Sequence, residues 1–188
     1  MPKKLTNKQE LIDKAINVFL KNGYYNSSIS DLARACDIEK SHFYYYFKDK
    51  RDLMNQCLIA FSLQIQKNVF EVSKDETVEA SVRLKKMLDY IWSLYTDNNH
   101  GCFFGNTLLE TVGNEPYFEE TIREFFENWK NALMYLYILK GTKGNLEEMV
   151  LDDIEKIQGS IMLMKLYKDQ SLLQKAIDQI FTKFNLKD

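Results

Sequence analysis

Proline is nearly absent from this chain, with two in 188 residues, and there are only seven glycines. So small a supply of turn and breaker residues argues against a strand-rich fold and for long helices. The three cysteines, Cys36, Cys57 and Cys102, are too few and too scattered for a disulfide framework, which points to a reducing, cytoplasmic compartment. No apolar run is long enough for a bilayer: the longest, Ala132–Leu139, has eight residues where a spanning helix needs about twenty, so no membrane partner is expected. The opening Met-Pro-Lys-Lys has no apolar signal region behind it. There are two histidines, no cluster with metal-ligand spacing, no glycine-rich phosphate loop and no nucleophile motif. An enzyme is therefore not expected, and neither a metal nor a cofactor is implied. His100 and Cys102 are two ligands at most, and two do not make a metal site.

A net charge of −2 excludes a uniformly basic surface, but the charge is uneven. Residues 1–52 carry ten Lys/Arg against seven Asp/Glu, a surplus of three positive charges, and the remainder is net −5. A mildly basic head on an acidic body suits a protein that touches phosphate at one end. Apolar residues make up 45% of the chain, enough for a proper core.

The head reads as helices. Leu11, Ile12, Ala15, Ile16, Phe19 and Leu20 form one apolar face of a helix over about Asn7–Lys21, ended by Asn22-Gly23 with Gly23 as a left-handed cap. Ser27 is the expected N-cap of a second helix to about Ala35, burying Ile29, Leu32 and Ala33. A third helix, roughly Lys40–Phe47, buries Phe43 and Phe47. Asp49 caps a long fourth helix carrying Leu53, Met54, Cys57, Leu58, Phe61, Ile65 and Val69, with no linker between head and body. Lys40, Ser41, His42, Tyr44 and Tyr45 crowd into six positions of the third helix, which fits contact with a polar, negatively charged duplex better than full burial.

The spaced run Ala15, Phe19, Gly23-Tyr24, Ser27-Ser28-Ile29-Ser30-Asp31-Leu32-Ala33, Phe43-Tyr44, Phe47-Lys48-Asp49-Lys50 and Leu53 resembles the TetR-type transcriptional regulators over about residues 8–57. The resemblance implies an all-α fold of about nine helices. A three-helix DNA-binding head with a helix-turn-helix (1–52) would be joined by the long fourth helix to a helical ligand-binding and dimerisation body (53–188). In a helix-turn-helix the second helix enters the major groove with its first residues at the base edges. Lys40, Ser41 and His42 are then the expected base readers. Ser27, Ser28 and Lys50 stand at helix N-termini, which attract phosphate. Tyr44 and Lys50 match family positions that touch the DNA backbone, and Tyr45 faces the groove. Tyr46 either joins that surface or packs on the first helix. Two departures stand out: Asp37 replaces a turn glycine, and Glu39 replaces the usual small hydroxyl cap, so the third helix is expected to be poorly capped.

In the body, Thr77 is read as the cap of a helix to about Thr96, Asp97–Gly101 as a turn and Phe103–Val112 as a short helix. Pro116 opens a long helix, and Leu146–Lys168 and Ser171–Phe184 are the last two. These last two helices carry more apolar residues than one core face needs. By the same resemblance Ile157, Ile161, Met164, Leu173, Ile177, Ile180 and Phe181 are expected to meet a second copy, giving a homodimer on a palindromic double-stranded DNA operator. Phe61, Trp92, Tyr95, Cys102, Phe103, Phe125 and Trp129 are the candidate walls of a small-molecule effector pocket. The run Gly101-Cys102-x-x-Gly105-Asn106…Glu110 is similar to the start of the sixth helix in a subgroup that includes sensors of small electrophiles. The implied function is a ligand-released regulator, most simply a repressor. The alternative is a dimeric helical interaction protein with a degenerate head.

Overall fold

The Asn7 side chain accepts a hydrogen bond from the Gln9 amide (3.2 Å) and starts helix α1 (Lys8–Asn22). The computed structural model describes residues 7–96 and 100–186, so 97–99 of the expected Asp97–Gly101 turn lie outside the described residues. Eight more α-helices follow among the described residues, with no strand: α2 (Ile29–Ala35), α3 (Lys40–Tyr46), α4 (Lys50–Ile65), α5 (Ala80–Thr96), α6 (Phe103–Thr111), α7 (Glu119–Lys140), α8 (Leu146–Tyr167) and α9 (Ser171–Asn185). They form two compact units, the chain up to Leu63 with Asn106–Ile122, and Gln64–Gly105 with the chain from Arg123 onward. The first unit is thus larger than the expected 1–52 head: it also takes in residues 53–63 of α4, most of α6 and the start of α7.

In the first unit the face of α1 that the spacing predicts, Leu11, Ile12, Ala15, Ile16 and Phe19, is buried with Leu32, Phe43, Phe47, Leu53, Met54 and Leu58. Each of these Leu, Ile, Phe and Met side chains contributes roughly 1.5–3 kcal/mol. Ser27 is not the N-cap of α2. It is fully buried and its hydroxyl donates to Gly23 O (2.7 Å). Ser28 caps instead, because Asp31 three residues on completes a reciprocal capping box. Gly23 has the positive φ expected of it (+81°), but its ψ of 173° is extended rather than left-handed helical.

The second helix ends in a Schellman turn, with Asp37 N–H donating to Arg34 O (3.1 Å) and Ile38 N–H to Ala33 O (3.0 Å). That motif needs a positive φ, and Asp37 supplies it at +55°. An Asp tolerates this region at a cost that glycine avoids. Asp37→Gly is expected to stabilise the protein by about 0.5–1 kcal/mol, net of the glycine's larger unfolded-state entropy. Urea denaturation of the two proteins measures it, and a destabilised glycine variant would mean that the Asp37 side chain has a role the turn geometry does not require.

Helix α4 does not run on to Val69 as an α-helix. After Ile65 it widens into a π turn (Gln66–Phe70) and tightens into a 3₁₀ turn (Glu71–Lys74). In the second unit α5 starts at Ala80, three residues past the expected cap, because Asp75 takes both the amide and the hydroxyl of Thr77. The buried Arg83 guanidinium fixes this entry by donating to Val78 O (2.7 Å) and Ser73 O (3.1 Å). Pro116 opens a 3₁₀ turn (Pro116–Phe118) that leads into α7. Helix α9 packs on both α5 and α8.

The expected dimer residues need correction. Ile157, Ile161, Met164, Leu173, Ile177 and Ile180 are buried within one chain, and a partner cannot reach them. The periodicity is right, but it belongs to the protomer's own core. On α8 the apolar residues left exposed are Leu151, Met162, Leu163, Leu166 and Tyr167, and Phe181 on α9 is half-buried.

Candidate nucleic-acid interface

A seven-residue helix has too few hydrogen bonds to hold itself, so α3 depends on what anchors it. Its N-cap Glu39 makes no side-chain hydrogen bond, as its replacement of a hydroxyl residue implies. The anchors are Phe43 and Phe47, both buried and in tilted ring contact at 5.4 Å. Burying this one side turns the rest of the helix outward: Lys40, Ser41 and His42 are exposed, Tyr44 is 53% and Tyr45 79% exposed. Tyr46 is half-buried, with its ring at 6.2 Å from Phe47, so the three tyrosines divide as two surface residues and one partly packed. Cys36, just before the turn, ties it to α1 through a weak hydrogen bond from its thiol to Leu11 O (3.5 Å), and burial pushes that thiol's pKa up.

Of the two serines expected at phosphate before α2, only Ser28 is on the surface. Its hydroxyl and amide hold the Asp31 carboxyl below the usual carboxylate range, so a negative charge persists there. Of the residues expected at phosphate, Ser27 faces inward. Lys50 has an internal partner: its ammonium donates to Tyr24 O (2.9 Å) and lies over the Tyr24 ring at 4.3 Å. Desolvation lowers its pKa, opposed by the nearby Glu110 and Glu115 carboxylates. The neighbouring Lys48 and Arg51 are exposed, and Arg51 stacks over Tyr117 at 5.1 Å.

Sequence reasoning missed Tyr24 and Glu110. Tyr24 is buried, edge-on to Phe118 at 5.1 Å, and its phenol is pushed up to about 12, by burial first and then by the Glu115 and Asp49 charges. Glu110 accepts from the amides of Tyr24 (2.8 Å) and Tyr25 (2.7 Å). The Gly-Cys-x-x-Gly-Asn…Glu run contains that carboxylate but carries no sign of where it goes.

The candidate effector walls are closely packed. In the second unit Phe104 and Phe125 stack at 3.7 Å with planes 10° apart, and Phe125 meets Trp129 at 6.2 Å. Tyr95, Cys102 and Phe103 are buried, Trp92 is half-buried, and Phe61 is counted with the first unit. Burial first, and the neighbouring Cys102 second, push the Tyr95 phenol well above its usual range. Cys102 Sγ accepts from Gly105 N–H (3.4 Å), serving as the cap of α6. An enclosed gap lined by Leu84, Met87, Trp129, Leu133, Asp153 and Ile157 measures about 10 Å³, the space of one water. Trp129 is the one expected wall residue that borders it.

No helix among the described residues is long and apolar enough to cross a membrane, and no group of three or more His, Cys, Asp or Glu among them is placed to hold a metal ion. Residues 11–57 match the family model of bacterial regulatory proteins of the tetR family, and residues 80–180 match that of the tetracyclin repressor-like C-terminal domain. The chain is 25% identical over 180 residues to the HTH-type transcriptional repressor DhaR of Mycobacterium sp. (strain GP1), covering 93% of this chain and 90% of that one. It is 29% identical over 187 residues to an HTH-type transcriptional regulator in the lacX 3′ region of Lactococcus lactis subsp. lactis, covering 94% and 92%. The crystal structure of a TetR transcriptional regulator from Legionella pneumophila superposes with a TM-score of 0.86 at 21% identity, over 97% of this chain and 99% of that one.

Proposed function

The chain belongs to the tetR family of bacterial regulatory proteins, and from that premise we propose that it is a cytoplasmic, homodimeric repressor of a palindromic operator, released when a small molecule binds its second unit. The observation that carries the DNA-binding part is the outward row Lys40, Ser41, His42, Tyr44 and Tyr45 on a helix anchored from behind by Phe43 and Phe47. Lys40, Ser41 and His42 lie in the first turn of that helix, the part that reaches base edges, and Tyr44 and Tyr45 supply phenolic donors to phosphate and sugar.

The second copy docks on the outer stripe of α8. Leu151, Glu155, Gly159, Met162 and Leu166 follow one another at spacings of three and four, so they share a face. A Cβ added to Gly159 would meet nothing within 4 Å, which leaves its backbone open to close approach. A two-fold dimer places its two α3 helices about 34–36 Å apart, one turn of duplex. The aromatic cluster of Tyr95, Phe103, Phe104, Phe125 and Trp129 suits a planar or hydrophobic effector, and an electrophile would react at Cys102.

Selection of random-sequence duplex DNA by the full chain, followed by fluorescence anisotropy, tests this. A two-fold symmetric site should emerge, with log K falling linearly against log salt. Lys40→Ala should cost about 1–3 kcal/mol and relax preference at one base pair per half-site. Enrichment of no sequence at low salt would reject the reading.

A further inference from the structure

The turn between α1 and α2 is held by a carboxylate that lies 86 residues further along the chain. Oε2 of Glu110 accepts from Tyr24 N–H at 2.8 Å, and Oε1 accepts from Tyr25 N–H at 2.7 Å, so both oxygens are used. On the other side of the same residue, Tyr24 O accepts from the Lys50 ammonium at 2.9 Å. The Tyr24 backbone is thus bracketed by an anion at its N–H and a cation at its C=O, the order that its donor and acceptor favour. Hydrogen bonds to ionised groups are stronger than neutral ones, and two that share one carboxylate also fix direction. Gly23 completes the fit: its φ is +81°, and a Cβ there would lie 2.8 and 2.9 Å from the two Glu110 oxygens. A side chain at Gly23 would be strained by that φ and would push the Glu110 carboxylate off the turn.

The clamp sits where it decides the aim of the DNA-reading helices. Ser27, three residues after Tyr24, is packed onto the same turn through its bond to Gly23 O, and Ser28 then caps α2. Whatever fixes Gly23-Tyr24-Tyr25 fixes where α2 starts, and α2 leads through the Asp37 turn to α3. Glu110 is in the last turn of α6, a helix whose first residues, Phe103–Gly105, are counted with the second unit and whose remainder is counted with the first.

We infer that Glu110 is a positioning residue for operator binding: its carboxylate, delivered by α6, sets the α1–α2 turn in the arrangement that lets α3 read DNA. The inference rests on the DNA-binding reading above. A rotation or axial shift of α6 withdraws the carboxylate from two amides at once, and the turn loses the contact that defines it. Glu110 itself touches no nucleic acid in this account.

The test uses the full-length protein, with the duplex that wild type selects from random-sequence DNA as the probe. Glu110→Ala should weaken specific binding by about tenfold or more, since two charge-assisted bonds are lost. Glu110→Gln keeps one acceptor oxygen, turns an amide NH₂ toward the second N–H, and should fall between Ala and wild type. Amide hydrogen exchange at Tyr24 and Tyr25 should accelerate in both variants. Thr121→Val is the control. It removes the Thr121 to Asn55 hydrogen bond (2.9 Å) from the same unit without touching the turn. Its affinity should stay within about twofold of wild type, as for most substitutions remote from a site. Equal losses of affinity in Glu110→Ala and Thr121→Val, tracking their melting temperatures, would reduce Glu110 to a general stabiliser and overturn the inference. Wild-type affinity in Glu110→Ala would overturn it while leaving the DNA-binding reading intact. If wild type selects no DNA at all, that reading fails first and the inference with it.

Discussion

Phe43→Ala is expected to cost about 3–5 kcal/mol, as for other buried phenylalanines, and to abolish specific DNA binding. The size follows from how little else holds α3. The helix has seven residues, its N-cap makes no side-chain bond, and its sole fully buried residue is Phe43. Phe47, just past its end, is the second anchor. Removing Phe43 leaves a cavity under the helix and no compensating cap, so the loss falls first on the segment that carries Lys40, Ser41 and His42. Phe43→Leu keeps most of the volume and should recover much of both properties. Urea denaturation and anisotropy on the selected duplex measure the two effects together. An alanine variant that binds with wild-type affinity would mean that α3 is organised by contacts other than these.

The second large effect belongs to Asp153. This carboxylate is 1% exposed on α8 and is satisfied from two neighbouring helices. Tyr137 of α7 donates its hydroxyl at 2.6 Å, and Lys183 of α9 forms an ion pair with the other oxygen while also donating to Met149 O at 3.3 Å. Burial first, and Asp153 second, push the Tyr137 phenol well above its usual range, so it stays a donor at any ordinary pH. Breaking a buried pair by removing one partner strands the other charge and typically costs about 3–5 kcal/mol. Lys183→Met does this to Asp153. Because the Lys183 side chain is 32% exposed, part of its attraction is already screened, and about 2–3 kcal/mol is the expected loss. The double variant Asp153→Asn/Lys183→Met should be more stable than Lys183→Met alone, since the stranded charge is gone. A double-mutant cycle by thermal or urea unfolding reads the sign directly. Additive losses would show that the pair is not energetically coupled.

Both results bear on how far the sequence was readable. The apolar face of α1, the anchoring of α3 by Phe43 and Phe47, the strained turn at Asp37 and the missing cap at Glu39 follow from local rules acting over a few residues. The start of α2 was misplaced by one residue because two serines stand side by side, and the choice between them depends on Asp31 and on an inward bond to Gly23. The start of α5 moved by two because Asp75 outcompeted the helix for Thr77. Six of the seven expected dimer residues lie inside the protomer, for a different reason. Helix α8 has apolar residues around more of its circumference than one core needs, and periodicity alone does not say which stripe faces inward. Ile154, Ile157, Ile161 and Met164 turned out to be the protomer's own core, leaving Leu151, Met162 and Leu166 outside. Glu110 and Asp153 were invisible because their partners lie far along the chain, in the α1–α2 turn for one and on α7 and α9 for the other, and no spacing rule spans such distances.

The three cysteines, all buried, have a practical consequence. Cys36 and Cys57 lie in the first unit and Cys102 in the second, and burial raises the pKa of the first two thiols, Cys57's well above the ordinary value. A thiol reagent in solution can reach none of them without an opening of the surrounding structure, so the labelling rate of each cysteine reports the opening equilibrium of its own region. Mass-resolved labelling of the unmodified chain therefore follows the two units separately in one sample, with no introduced probe. A duplex that slows Cys36 and leaves Cys102 unchanged would register as protection of one unit alone.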